Sequence, residues 1–377
     1  MINNIKKIFV SEFITGGGFN HADLPKSLAN EGALMRDALL KDFRELPYDI
    51  VTTIDARLNS ALYADVIADN TLGKPLSSSQ HAFDSPYIHA VCRPIAQDEN
   101  VWDIWAELIK TCDAVLVIAP ETDGILHKFA QLTQDLGKVW LGCSLDVIEI
   151  CGDKLKTYQF LHANHGAKNY LSAPTFTLDT FLAHEQQYPN RLFSHKARYV
   201  AKPKYGAGCE DTHVFSDIET LVKFVQHKRI KSHIIQSFME GQHASLIMLC
   251  KNGQAWMLSA NQQLMDEKKE ASQSKLQFKG VVVNGFAQYW AGFENIANLL
   301  ASQMPGLNGL VGVDIVIGKK YDDTILCVIE MNPRLTTSYA GLAKSIGQNP
   351  AKLLLDCWQN ADFSLPTLTQ NKVEIRV

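Results

Sequence analysis

Apolar positions in residues 1–150 fall into short strand-like runs separated by stretches of helical spacing, the alternation of an α/β layer. Residues 5–14 predict a first strand, Gly16-Gly17-Gly18 a loop, residues 28–43 a helix and residues 48–54 a second strand. Residues 70–90, rich in Ser, His and Pro, predict a loop. A helix over 104–111 and a buried strand over 113–120 follow, and Glu121-Thr122-Asp123-Gly124 is read as a loop. A helix over 125–136 and a short strand over 139–141 complete this part.

From Cys151 the pattern changes. Asp153 is placed to cap a helix that ends near Gly166. Extended stretches are predicted at 173–176 and 198–202, the latter meeting Tyr205-Gly206-Ala207-Gly208. A short strand at 212–215, a helix at 217–227 and a strand at 233–238 make a small α+β unit. Beyond residue 244 strands dominate, at 245–250, 255–260, 281–284, 310–317 and 327–334, with helices near 293–303 and 350–358 and a last strand at 372–377. The charged run 266–275 reads as a surface loop, within a 261–280 segment expected near the substrates. Domain boundaries are therefore expected at 1–150, 151–236 and 237–377.

Composition narrows the function classes. With 377 residues the chain can form two or three domains. A net charge of −4 and no basic block argue against nucleic acid or an anionic membrane as main partner. No apolar run approaches the roughly 18 residues of a membrane span. The opening apolar run meets Ser11 and Glu12 too soon for a signal-peptide core. Eight cysteines without a Cys-x-x-Cys pair suit a reducing cytoplasm, and give no support for zinc.

The chemistry concentrates near the C-terminal end. In Glu330-Met331-Asn332-Pro333-Arg334, alternate residues carry a carboxylate, an amide and a guanidinium, and alternate side chains share a strand face. The strand holding Asp314 is followed by a polar turn, so a hairpin brings Asp314 toward Glu330. Acids at strand ends are often merely solvated, but these two sit in runs that read as buried, where an unpaired charge is costly. Two carboxylates and an amide oxygen suit Mg²⁺, which takes one or two carboxylates plus water and phosphate oxygens. Arg334 adds a cation where anionic oxygens gather.

Asp153-Lys154 opening a helix, Lys202-Pro203 before the glycine loop, Ile234-Ile235-Gln236-Ser237-Phe238-Met239-Glu240-Gly241, Asp314 and Glu330 to Arg334 together resemble the ATP-grasp superfamily, in order and approximate separation, over residues 151–338. The resemblance implies an N-terminal pre-grasp α/β domain, a small central lid and a C-terminal antiparallel-sheet domain. It implies that Lys154, Lys202, Gly206 and Gly208 meet ATP phosphates and that Gln236, Phe238 and Met239 meet adenine. Either Glu240 or His243 would meet the ribose, and many members carry Glu where this chain has Gln236 and His243. Asp314, Glu330 and Asn332 would hold two Mg²⁺ ions, with Mn²⁺ an acceptable substitute, and Arg334 would hold the substrate carboxylate and stabilise the oxyanion.

Ser11-Glu12-Phe13-Ile14-Thr15-Gly16-Gly17-Gly18, Val117 to Glu121 and Asn332 to Tyr339 further resemble the branch joining L-glutamate to tyramine in methanofuran biosynthesis. The implied activity is a carboxylate–amine ligation through an acyl phosphate, with small-molecule acid and amine substrates and room for a homodimer. Another amino-acid or dipeptide ligase, or a nucleotide-binding protein without catalysis, stands as the alternative. The triple glycine is open between a flexible turn and a loop that shapes the substrate pocket.

Overall fold

The computed structural model describes residues 5–58, 90–163, 171–187, 198–206, 211–227, 233–269, 273–320 and 323–377. Two sheets, five-stranded and eleven-stranded among the described residues, organise the chain. The first is parallel, with β1 (Lys7–Glu12) central, β2 (Asp49–Asp55) and β3 (Ala90–Ile95) on one side, and β4 (Ala114–Ile118) and β5 (Val139–Trp140) on the other. Successive β1 side chains enter opposite cores. Phe9 packs with Trp105 and Phe129, whereas Ile8 and Val10 pack with Leu39 and Phe43. Helix α1 (Lys26–Phe43) therefore covers one face, and α2 (Val101–Lys110) with α3 (Ile125–Asp135) covers the other.

The predicted elements of this part are present, with differences at their ends. The first strand stops at Glu12, and Ile14–Gly18 winds into a π-helical turn rather than an open loop. Of the predicted 70–90 loop, residues 70–89 lie outside the described residues; Ala90 opens β3, a strand the pattern did not suggest.

Helices α4 (Leu145–Gly152), also unanticipated, and α5 (Lys154–Ala163) lead into the second sheet. As expected, Asp153 caps α5: its Oδ1 accepts from the backbone N–H of Leu155 (2.9 Å) and Lys156 (3.1 Å). The predicted stop at Gly166 lies outside the described residues. After β6 (Leu171–Ser172), the strands β7 (Thr175–Phe176), β8 (Tyr199–Pro203), β9 (His213–Phe215) and β10 (His233–Ser237) lie in the order β9-β8-β10-β7. Helices α6 (Leu178–Gln187) and α7 (Ile218–His227) close a core around Phe181, Phe215 and Leu221.

The remainder of the sheet runs β6-β15-β14-β11-β12-β13, formed by β11 (Gln242–Lys251), β12 (Gln254–Lys269), β13 (Ser274–Val283), β14 (Gly309–Lys320) and β15 (Asp323–Asn332). Strand β13 joins the two parts by pairing with β9 through Ser274↔Val214 and Lys275↔His213. Helix α8 (Trp290–Gln303) packs Phe293, Ile296 and Leu300 on one face. Helices α9 (Tyr339–Ile346) and α10 (Pro350–Gln359) pack Leu342, Ile346 and Leu354 on the other. The edge strand β16 (Val373–Arg376) pairs with β13.

Asn252 and Gly253 both hold positive φ, 51° and 82°, as the two-residue turn between β11 and β12 requires. The charged 266–275 run departs from its surface-loop reading. Asp266↔Gln277 and Lys268↔Lys275 are paired rungs of the β12–β13 arm, of which residues 270–272 lie outside the described residues. Its charges occupy exposed or half-buried positions, and Glu267 pairs with Arg198, so the strand pairing carries them without burying an unpaired charge. Among the described residues, no helix is long and apolar enough to cross a membrane.

Candidate active site

A cleft of about 490 Å³ lies where the two sheets meet. Lys154, Lys202, Gly206, Gln236, Phe238, Met239, His243, Asp314, Glu330, Asn332 and Arg334 all line it. Gly208 lies outside the described residues. Glu240 does not line the cleft: its side chain is 72% exposed and pairs with Arg198 at 3.2 Å. His243 does line it, and burial lowers its pKa so that the neutral imidazole is favoured.

The β14–β15 hairpin makes Asp314 and Glu330 direct cross-strand partners, with a bulge just beyond Asp314. Asp314 Oδ1 accepts from Gln263 Nε2 at 2.8 Å, and its Oδ2 from Asn332 Nδ2 at 3.4 Å. Burial first, and then the Glu330 charge, push Asp314 up to about 7 against these hydrogen bonds and the nearby Lys202. Strand β15 ends at Asn332, so Arg334 reaches the cleft from the bend after Pro333 rather than by continued alternation.

That titration carries a stability cost with a definite sign. The folded protein holds the Asp314 proton more tightly than the unfolded chain, so this group's contribution to stability falls as pH rises from near 3.8 to about 7. Asp314→Asn removes the charge, and the metal-free protein is expected to melt higher than the parent at pH 8. The gain should vanish below pH 4, where the parent carboxyl is protonated in both states. Thermal melts in chelator across that range check this; an equal gain at every pH would place the effect elsewhere.

Lys154 Nζ donates to the Gly206 carbonyl at 2.6 Å and lies 3.1 Å from Glu330 Oε1, tying α5, the glycine loop and the hairpin at one point. Asp153 adds to that junction, its Oδ2 lying 2.7 Å from Lys204 Nζ. Lys202 is buried on β8. On β10, Gln236 Nε2 donates to Thr175 Oγ1 at 2.9 Å. Beyond that strand, Phe238 packs with Val200, Val214 and Leu276, under an Arg198 guanidinium 4.2 Å from its ring. Met239 packs with Val316 and Ile329.

The parallel-sheet unit contributes partners that local sequence left without a role. Glu121, just past β4, receives Arg334 in a two-point pair, from Nε at 2.9 Å and Nη2 at 3.2 Å, while Nη1 donates to the Leu335 carbonyl at 3.1 Å. Burial opposes the guanidinium charge, but the Glu121 carboxylate outweighs it and raises Arg334 above its usual value. Thr337 donates from its hydroxyl to Glu31 of α1. The only sequence signals for these partners were the motifs around Glu121 and Thr337, which pointed to a branch without assigning roles.

Among the described residues no group of three or more His, Cys, Asp or Glu is arranged to hold a metal ion. Two carboxylates and one amide instead suit a cation that completes its shell with water and phosphate oxygens, as Mg²⁺ does.

The ATP-grasp domain family matches residues 151–338, and the pre ATP-grasp 3 domain family matches residues 48–148. A tyramine–L-glutamate ligase of Methanocaldococcus fervens is 26% identical over 335 residues, 89% of each chain. Among solved structures, an ATP-grasp superfamily protein from Archaeoglobus fulgidus superposes with a TM-score of 0.60 at 21% identity, covering 98% of this chain and 99% of that one. The biotin carboxylase domain of Hydrogenobacter thermophilus 2-oxoglutarate carboxylase, solved with MgADP, ADP and bicarbonate, gives 0.66 at 14% identity, covering 97% of this chain and 73% of that one. The order of motifs, the two-sheet architecture and these matches agree: the chain belongs to the ATP-grasp superfamily and is an ATP-dependent ligase.

Proposed function

We propose that the protein joins a carboxylate to an amine through an acyl phosphate, with L-glutamate as acid and tyramine or a similar amine as partner. The observation that carries this reading is the convergence of Asp314, Glu330 and Asn332 with Lys154 and Lys202 in one cleft. The named reaction of the curated relative supplies the candidate substrates.

In this reading the Gln236 amide offers a donor and an acceptor to the adenine edge, and Phe238 and Met239 supply apolar surface for the base. The half-buried His243, which lines the cleft, takes the ribose in preference to Glu240, which faces solvent. Lys154, Lys202 and the N–H groups of the Gly206–Gly208 loop meet phosphate oxygens. Lys154, now shared between Gly206 and Glu330, must turn toward the nucleotide as it enters. Asp314, Glu330 and Asn332 would hold Mg²⁺, which when bound neutralises charge on the triphosphate. The acid's carboxylate oxygen takes the γ-phosphoryl group and ADP departs. The ammonium first gives up a proton; the free amine nitrogen then bonds the acyl carbon as the carbon–oxygen bond to phosphate breaks, and a second N–H proton is lost as the amide forms. Arg334, held by Glu121, aims its remaining N–H donors at the acid's carboxylate. The β7–β10 unit closes over the site and excludes water, which would otherwise hydrolyse the acyl phosphate.

The test is ADP release with L-glutamate against a panel of amines that includes tyramine. Turnover should require acid and amine together. Nucleotide binding with no turnover for any pair would identify a binding protein instead.

A further inference from the structure

The parallel-sheet wall of the cleft carries chemistry that nucleotide handling does not use. On α1, Leu28, Glu31, Gly32 and Met35 fall at i, i+3, i+4 and i+7, one helical face, and all four line the cleft. Phe13 and Phe19 line it as well, their rings edge-to-face at 5.8 Å, and Phe13 lies 5.9 Å from Trp105.

The turn that presents these rings is built to hold one shape. Glu12 accepts from the backbone N–H of Ile14 (3.0 Å) and Thr15 (2.7 Å) and from Thr15 Oγ1 (2.6 Å), so its carboxylate is engaged within the turn. A Cβ at Gly18 would come within 2.4 Å of the Phe13 ring, and one at Gly32 within 2.4 Å of Glu12. Gly18 and Gly32 therefore allow the turn to pack closely behind Phe13 and Glu12, both of which line the cleft.

Glu31 is the charged member of this apolar surface. One of its oxygens accepts from Thr337, three residues past Arg334, and among the described residues no bond to the other oxygen is present. The cleft's lysines and its arginine, Lys154, Lys202 and Arg334, belong to the other unit, although Arg334 reaches Glu121 and feels the Glu31 charge. Among the described residues, those lining the cleft from the parallel-sheet unit include Glu12, Glu31 and Asp123 but no Lys or Arg.

We infer that Glu31 takes the ammonium of the amine substrate, and that this substrate is a primary amine on an apolar or aromatic body without an α-carboxylate. The inference rests on the ligase reading above and deepens it. A cationic head gains a charge-assisted hydrogen bond from Glu31 while its body covers Phe13, Phe19, Leu28 and Met35. An α-carboxylate beside that head would be desolvated beside Glu12, Glu31 and Asp123, and Arg334, the cation that feels the Glu31 charge, is already committed to Glu121 and to the acid substrate. Glu31 is thus a specificity-determining residue.

Glu31→Gln keeps size and shape. It should raise KM for tyramine about tenfold or more and leave KM for L-glutamate and ATP in place. Wild type should prefer tyramine strongly over L-tyrosine, and the variant should narrow that preference, which a purely structural role would not do. Glu31→Asp should restore part of the affinity, and an unchanged melting temperature excludes misfolding. Calorimetric titration of tyramine into the MgADP-loaded protein reads the same contact without turnover. Equal tyramine affinity in wild type and Glu31→Gln overturns the inference, as does a KM effect confined to L-glutamate. If wild type releases ADP with no acid–amine pair, the ligase reading fails, and the calorimetric comparison still decides the role of Glu31.

Discussion

Glu330→Gln is expected to lower kcat by about 10²-fold or more while the chain folds normally. The substitution keeps the side chain's length and polarity, and Glu330 is 17% exposed, so the cost to packing is small. Its electrostatic effect is large, because the charge faces both Lys154 and the carboxylate of Asp314. Without it, half of the anionic charge that the hairpin presents to the cleft is gone, and Lys154 loses its carboxylate partner at 3.1 Å while keeping the Gly206 carbonyl. Glu330 also helps to raise Asp314, so the variant should ionise Asp314 at lower pH than the parent. Reduced turnover would then persist at alkaline pH, where the parent's Asp314 is also charged. Single-turnover ADP formation at saturating Mg²⁺, alongside a thermal melt, separates the loss of chemistry from loss of fold. A near-normal rate would remove Glu330 from the site.

Much of this was legible because the decisive residues are close in sequence or fixed by periodicity. Asp314 and Glu330 lie on two runs joined by a short polar turn, and alternation on a strand leaves little freedom in which residues face each other. Asp153 as a helix cap and the buried strand at Ala114–Ile118 follow from equally local rules. What local rules did not supply is contact between distant parts of the chain. The Arg334–Glu121 pair spans 213 residues, and nothing in either motif names the other. Short helices such as Leu145–Gly152 and Tyr339–Ile346 were missed because two turns give too few positions to establish a period. The 266–275 run misled for a different reason. A charged run reads as a loop, whereas here paired strands hold the charges at exposed or half-buried positions and Glu267 meets Arg198. Glu31 lay in plain view as a charge within an apolar helical stripe, yet only the cleft beside it gives that charge a purpose.

Removing Glu121 is expected to have the largest effect on stability of any single change at the site. Glu121 and Arg334 are 5% and 10% exposed, and each of two guanidinium nitrogens donates to its own carboxylate oxygen. Glu121→Ala strands a buried guanidinium that stays charged at any ordinary pH, and losing one partner of such a pair costs about 3–5 kcal/mol. Because the pair joins the parallel-sheet unit to the bend after β15, the loss should loosen the junction that carries the cleft as well as the local packing. Glu121→Gln should cost less, since its amide oxygen can still accept from Nε. Replacing both residues with leucine should recover much of the stability, because two apolar side chains of similar volume tolerate burial without a partner. Turnover should remain lost in that double variant, because the guanidinium is gone. Urea unfolding of the three variants, read beside ADP release, distinguishes a structural pair from one that also orients a working arginine. Full turnover in the stable double variant would leave Glu121 and Arg334 a structural role alone.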